Sequence, residues 1–137
     1  PAIVEPALRE QSFGDWQGMT HEEFAALGDT APHRHWRAPA FMQAPNGESF
    51  AGLIARVAPA ITRLSNIHEG ADIVAVAHGG TIRAAMALAL GLDPERALAF
   101  STVNLGVTRL DYITDLAEGV AWRVTGVNWN PEFAATR

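Results

Sequence analysis

The sequence predicts an α/β fold, a mostly parallel sheet with helices on both faces, and three observations carry that prediction. The run Ile73-Val74-Ala75-Val76-Ala77 is apolar without polar alternation, as strands buried on both faces are. An amphipathic helical pattern from Phe50 to Leu64 precedes it, and apolar residues at spacings of three and four follow it at Ile82, Ala85, Met86, Ala89 and Leu90. A helix crossing into a buried strand and out into another helix is the order of right-handed crossover units around parallel strands.

In chain order, Ala2 to Leu8 holds the apolar pair Ile3-Val4 cut by Pro6, which predicts an edge strand or an extended lead-in. The polar stretch Leu8 to Gly18, with two glycines and two aromatics, predicts an ordered loop. Thr20 and Glu23 form a capping box for a helix through Phe24 and Leu27, closed by Gly28. Residues 29 to 47 carry Pro32, Pro39, Pro45 and Trp36 without a period, which predicts a long irregular excursion, and loops of that size commonly cover a site. Pro45-Asn46-Gly47 is a turn signal, after which Glu48-Ser49 opens a helix over Phe50, Leu53, Ile54, Val57, Ile61 and Leu64. Pro59 removes one backbone hydrogen bond from it and is expected to bend it.

After the strand at 73 to 77, Gly79 and Gly80 break the run, a helix starts near Thr81, and Gly91 is its C-terminal glycine. Asp93-Pro94-Glu95 restarts a short helix with Asp93 as cap and Pro94 at its first position. Leu105 to Ile113 and Val120 to Val127 predict a terminal hairpin with alternation at Val120, Trp122 and Val124; the tail from Asn128 reads as irregular. Neither a repeat nor a linker interrupts the 137 residues, so a single domain spanning 1–137 is expected.

Composition narrows the function. The net charge of −5 argues against a nucleic-acid surface, and no apolar run reaches membrane-spanning length. The absence of cysteine removes disulfides, thiolate metal sites and thiol nucleophiles, and is compatible with a cytoplasmic protein. All ten cationic residues are arginine, a bias that base composition explains as readily as phosphate binding. His33 and His35 alternate in the excursion, but without a thiol or a histidine-glutamate helix signature no metal site is expected there.

His78 stands where the buried strand ends and a helix begins. Such a junction gathers orphan backbone donors and the positive end of a helix dipole, which favours an anion. Gly79 and Gly80 let a ligand approach the backbone. Arg83 lies in the first helical turn, where the dipole disfavours a cation, so either an anion or a surface ion pair should hold it. A histidine bonded to backbone carbonyls for purely structural reasons is the competing interpretation of His78.

Three stretches in order, Leu8-x-Glu10-x-x-Phe13-Gly14-x-Trp16-x-Gly18, Gly47-Glu48-Ser49 and Ala77-His78-Gly79-Gly80-Thr81-Ile82-Arg83, resemble successive motifs of the histidine phosphatase superfamily, also called phosphoglycerate mutase-like. The resemblance covers nearly the whole chain and implies a phosphomonoesterase that works through a phosphohistidine, without metal or organic cofactor, on a small phosphorylated metabolite. It implies Glu10 as the acid that protonates the leaving oxygen, with its pKa raised by burial near Phe13 or Trp16 or by phosphate charge, and His78 as the second histidine of the site. Gly79, Arg83, Glu48, Ser49 and Asn104 are the implied phosphate and substrate contacts, and specificity is expected in the irregular loop at 29 to 47.

No arginine-histidine-glycine triplet occurs, so the family's nucleophile is missing from the chain as written. His21, His33, His35 and His68 lack the strand-end setting. The expectation is a chain corresponding to the C-terminal two thirds of the family's domain. It would lack the N-terminal strand-helix portion, leave a bare strand edge beside residues 73 to 77, and be inactive alone. Phe13-Gly14-x-Trp16-x-Gly18 resembles the small phosphatases, including alpha-ribazole phosphatase, more than the mutases. Mutase-type phosphoryl transfer and a non-catalytic phosphate-binding module are the alternatives. An esterase loop at His78-Gly79-Gly80 fails on order, because Gly47-x-Ser49 precedes it.

Overall fold

In the computed structural model, the structure describes residues 2–28, 33–117 and 119–130. The chain begins with a 3-10 turn at Pro6–Leu8, where Glu5 caps the start by accepting from the Ala7 amide and Pro6 takes the first position. Of the two expected alternatives, no edge strand forms; residues 2–5 lead without helix or strand into this turn. A second 3-10 turn spans Gly14–Trp16. Helix α1, His21–Ala26, carries the complete capping box: Thr20 Oγ1 accepts from the Glu23 amide, and the Glu23 carboxylate accepts from the Thr20 amide. The excursion forms no helix or strand over residues 33–48, and its portion at 29–32 lies outside the described residues.

Helix α2, Phe50–Ile67, runs through Pro59 and buries Phe50, Leu53, Val57 and Ala60. Helix α3, Gly79–Leu90, starts at His78 and stops at Gly91, whose φ of 59° is the left-handed conformation glycine supplies without strain. The two helices pack on one another, and Phe50, Leu53, Val57, Ala84 and Ala87 form the main core with Ala40, Ala97 and Leu98. The helix expected from the spacing of Ile82, Ala85, Met86, Ala89 and Leu90 forms, but of those residues only Met86 is buried. Gly80, Thr81, Arg83, Ala84, Met86 and Ala87 are buried, whereas Leu90 is exposed. Small residues permit the close approach to α2, and helical periodicity read on large apolar residues misses them. Helix α4, Pro94–Ala97, is capped by Asp93 as predicted.

Strand β1, Val107–Leu116, and strand β2, Gly119–Trp129, form the expected antiparallel hairpin, with Tyr112 opposite Trp122 and Leu110 opposite Val124. From Trp122 onward inward and outward positions alternate, but Val120 is exposed. The tail expected from Asn128 begins later, since Asn128 and Trp129 belong to β2; residues 131–137 lie outside the described residues. The Tyr112 hydroxyl donates to Asn66 Oδ1 at 2.5 Å, fastening the hairpin to the end of α2, and β2 also packs on α3.

The stretch expected to be a doubly buried central strand is neither paired nor buried. Residues 73–77 join no ladder among the described residues, and Val74 and Val76 are 89% and 98% exposed. The only sheet among the described residues is the hairpin, so the mostly parallel sheet is not formed within them. A strand is defined by its neighbour's hydrogen bonds, and an apolar run without a neighbour stays bare. No described helix is long and apolar enough to cross a membrane.

Candidate active site

Two loops distant in sequence are laced together beneath the site. The Ala44–Gly47 turn is closed by the Gly47 amide on the Ala44 carbonyl at 2.9 Å, with Pro45 at its second position and Asn46 at φ 57° in its third. The Asp15 amide donates to the Pro45 carbonyl and the Glu48 amide to the Ser12 carbonyl, both at 2.9 Å. Gly14 and Gly47 cross here so closely that a Cβ on Gly14 would lie 2.0 Å from the Pro45 carbonyl oxygen, and one on Gly47 would lie 2.6 Å from that of Ser12. Gly14 and Gly47 are thus each required by backbone contact.

Glu48 continues the lacing. Its carboxylate accepts from Arg56 Nη2 at 2.5 Å and Nε at 3.3 Å, and from the Ser12 amide at 3.1 Å. Arg56 also donates to the carbonyls of Ala7, Arg9 and Glu10. The guanidinium therefore fixes the main chain leading into Glu10. Ser49 Oγ accepts from the Gly52 amide at 3.0 Å as the N-cap of α2. Neither Glu48 nor Ser49 lines the cleft described below; the Glu48 carboxylate is engaged by the loop and Arg56, and Ser49 Oγ by the helix end.

Glu10 and His78 meet at the N-terminus of α3. Glu10 Oε2 accepts from the Gly80 amide at 3.2 Å and Oε1 from the Gln11 amide at 2.9 Å. A Cβ on Gly80 would lie 2.4 Å from Glu10 Oε1, so this glycine makes room for the carboxylate. Trp16 packs with Ala38 and Ala44, and Phe13 is partly buried against the same cluster. His78 caps α3 by backbone geometry alone, and its side chain makes no hydrogen bond among the described residues. Both groups line an open cleft of about 710 Å³ together with Ala77, Gly79, Ile82 and the segment Thr102 to Gly106.

Of the remaining expected site residues, Gly79 and Asn104 line this cleft. Arg83 does not. It is 8% exposed, donates from Nε to the Phe100 carbonyl at 2.5 Å, and its guanidinium lies 4.3 Å from the centroid of the Trp36 ring. No ion pair among the described residues holds it; a carbonyl and an aromatic face do, and a desolvated contact of the latter kind is worth about 2 kcal/mol. Burial pulls the guanidinium's pKa below its ordinary value, and the charge of Glu10 opposes that shift. A Cβ on Gly79 would lie 3.5 Å from Arg83 Nη1, so the cation sits just under the cleft floor.

Sequence reasoning missed Thr102. Its Oγ1 would lie 2.7 Å from a Cβ on Gly79, which puts a hydroxyl against the cleft floor beside the α3 N-terminus. The segment carrying it is held by Asn128 of β2, which accepts from the Val103 amide at 3.0 Å and donates to the Ser101 carbonyl at 2.7 Å. The short polar interruption Ser101-Thr102 between α4 and the hairpin was the available signal. His33 is engaged at both nitrogens, with Nε2 2.6 Å from Glu95 Oε1 and Nδ1 accepting from the His35 amide at 3.2 Å. Among the described residues no group of three or more potential ligands could hold a metal ion.

A family model described as the histidine phosphatase superfamily (branch 1) matches residues 1–125. The chain is 38% identical over 148 aligned positions to a glucosyl-3-phosphoglycerate phosphatase of Mycolicibacterium vanbaalenii, covering 98% of this chain and 65% of that protein. It is 31% identical over 97 positions to a 2,3-bisphosphoglycerate-dependent phosphoglycerate mutase of a Methylobacterium species, covering 69% of this chain and 47% of that one. The solved structure of a mycobacterial glucosyl-3-phosphoglycerate phosphatase complexed with inorganic phosphate superposes with a TM-score of 0.75 at 33% identity, over 93% of this chain and 64% of that chain. The chain thus spans less than two thirds of the length of each of these relatives. Its fold class is the α/β, phosphoglycerate mutase-like one expected from sequence.

Proposed function

The chain belongs to the histidine phosphatase superfamily (branch 1), and from that premise we propose that it forms the acid and phosphate-binding half of a phosphomonoesterase site acting on a small phosphorylated metabolite. One observation carries the proposal: the Glu10 carboxylate is hydrogen-bonded to the first turn of the helix that His78 opens, and both line one cleft. A phosphoryl group at that helix end would meet free backbone amides and the His78 imidazole, with Asn104, Thr102 and Gly79 around it and the Arg83 cation beneath. Glu48 and Ser49 serve this reading by fixing the loop and the helix start.

In the proposed reaction a histidine imidazole attacks phosphorus and the bond to the leaving oxygen breaks. The protonated Glu10 gives its proton to that oxygen, so the alcohol departs neutral. Water then attacks the phosphohistidine, Glu10 takes a proton from it, and phosphate leaves with the imidazole restored. No cofactor is required at any step. These 137 residues contain no arginine-histidine-glycine triplet, so the proposal assigns the attack to a histidine beyond them, and the 137 residues alone would not turn over. The bare apolar run at 73–77 supports this, because it offers an exposed, unpaired apolar segment whose last residue, Ala77, lines the cleft.

Hydrolysis is favoured over mutase transfer because the phosphatase relative aligns with nearly the whole chain, including the hairpin, while the mutase match covers 69% of it. The test is turnover of 4-nitrophenyl phosphate by the full-length protein, set against interconversion of phosphoglycerates. Hydrolysis with little transfer is expected; strong transfer with little hydrolysis would overturn the assignment.

A further inference from the structure

We propose that Gln11 is the positioning residue for Glu10, a role that rests on the reading of Glu10 as the acid. Gln11 is 7% exposed, and both ends of its side-chain amide are engaged: Oε1 accepts from the Trp36 indole Nε1 at 2.9 Å, and Nε2 donates to the Glu48 carbonyl at 3.1 Å. The amide has one orientation only, since a flip would set NH2 against an indole N–H and an oxygen against a carbonyl. With its side chain anchored in two directions, Gln11 presents its own backbone N–H to Glu10 Oε1 at 2.9 Å. Arg56 Nη2 holds the Glu10 carbonyl at 3.4 Å, so the peptide between the two residues is fixed from both sides. Glu10 Oε2 receives the Gly80 amide. One anchored N–H on each carboxylate oxygen fixes the direction in which the acid delivers its proton. Trp36 ties this arrangement to the excursion, because the same indole lies over Arg83 and packs near Phe13 and Phe50.

A residue that aims a general acid has a signature that a residue merely filling the loop lacks. An alkoxide leaves only with a proton, whereas 4-nitrophenolate leaves nearly unaided, so misdirecting the acid slows the first reaction and spares the second. The experiment compares kcat/KM, which reports the step in which the leaving group departs and not the later hydrolysis shared by both substrates, for n-propyl phosphate and 4-nitrophenyl phosphate in the full-length protein with Gln11→Met and, separately, Trp36→Phe, which removes the indole donor and keeps a ring. Gln11→Met is expected to lower kcat/KM on propyl phosphate about tenfold or more while changing that on nitrophenyl phosphate less than about threefold. Trp36→Phe should show the same selectivity, milder at about threefold, and it carries the test alone if Gln11→Met does not fold. Equal losses on both substrates, or no loss on either, would overturn the proposal. Glu10→Gln run in parallel separates the two readings. If Glu10→Gln spares propyl phosphate turnover, the assignment of the acid fails; if it abolishes turnover while Gln11→Met does not, the positioning role alone fails.

Discussion

Glu10 Oε2 lies 3.2 Å from the backbone nitrogen of Gly80, a hydrogen bond that joins the first motif of the chain to the helix opened by His78. Carboxylate, helix dipole and histidine are brought to one point by it, and the lacing of the Gly14 and Gly47 loops behind it keeps the carboxylate there. The site is thus a product of backbone geometry as much as of its polar side chains.

Gly80→Ala is expected to spare the fold and disable the site. The added Cβ would fall 2.4 Å from Glu10 Oε1 and 3.0 Å from Leu53 Cδ2, and the carboxylate, being the end of a flexible side chain, would give way first. Loss of that hydrogen bond costs about 1 kcal/mol of stability, partly offset by alanine's better helix propensity. Displacement of the acid should lower propyl phosphate turnover by about 10- to 100-fold. Thermal unfolding and steady-state kinetics on the same full-length variant check both halves.

Ser49→Ala separates capping from substrate contact. Loss of the Oγ bond to the Gly52 amide should cost about 1 kcal/mol, the usual value of a helix N-cap. Turnover and KM should stay within about twofold of wild type, because the hydroxyl does not line the cleft. A tenfold rise in KM without loss of stability would return Ser49 to the substrate.

The capping box at α1 predicts an acid dependence. Hydrogen bonds from the backbone and side chain of Thr20 hold the Glu23 carboxyl below its usual 4.5. A group whose folded pKa is depressed stabilises the fold above its unfolded value and loses that contribution as pH falls through the folded one. Glu23→Gln keeps an acceptor for the Thr20 amide but cannot titrate. The wild-type advantage over Glu23→Gln in urea unfolding should be constant at neutral pH and close below 4.5. Glu5 and Asp111 are depressed in the same direction by Ala7 and Arg63 and by Arg123 and Arg109, respectively, so both proteins should weaken in acid. Only the difference between them isolates Glu23.

What the sequence made legible was local. Thr20, Ser49, Asp93 and Gly91 each mark a helix end through a bond to a near neighbour or a left-handed φ, and each stands where it was expected. What depended on a distant partner was not legible. Ile73 to Ala77 look like a buried strand, but burial requires a second strand that periodicity does not supply. The core face of α3 was not legible from the spacing of its larger apolar residues, because Gly80, Ala84 and Ala87 define it through closeness of approach, not side-chain size. His78 was singled out by its place before a helix and two glycines, and Glu10 by the resemblance of its motif. Thr102, Gln11 and the true surroundings of Arg83 emerged only in three dimensions, since each is defined by residues remote in sequence.

If the cleft bounded by Glu10 and His78 receives a phosphoryl group, calorimetric titration of the full-length protein with orthovanadate should detect it. Saturable binding at a single site per chain is expected, weakened about tenfold or more by His78→Ala, as loss of a charge-assisted contact implies. Vanadate binding that is absent, or unchanged by His78→Ala, would contradict it.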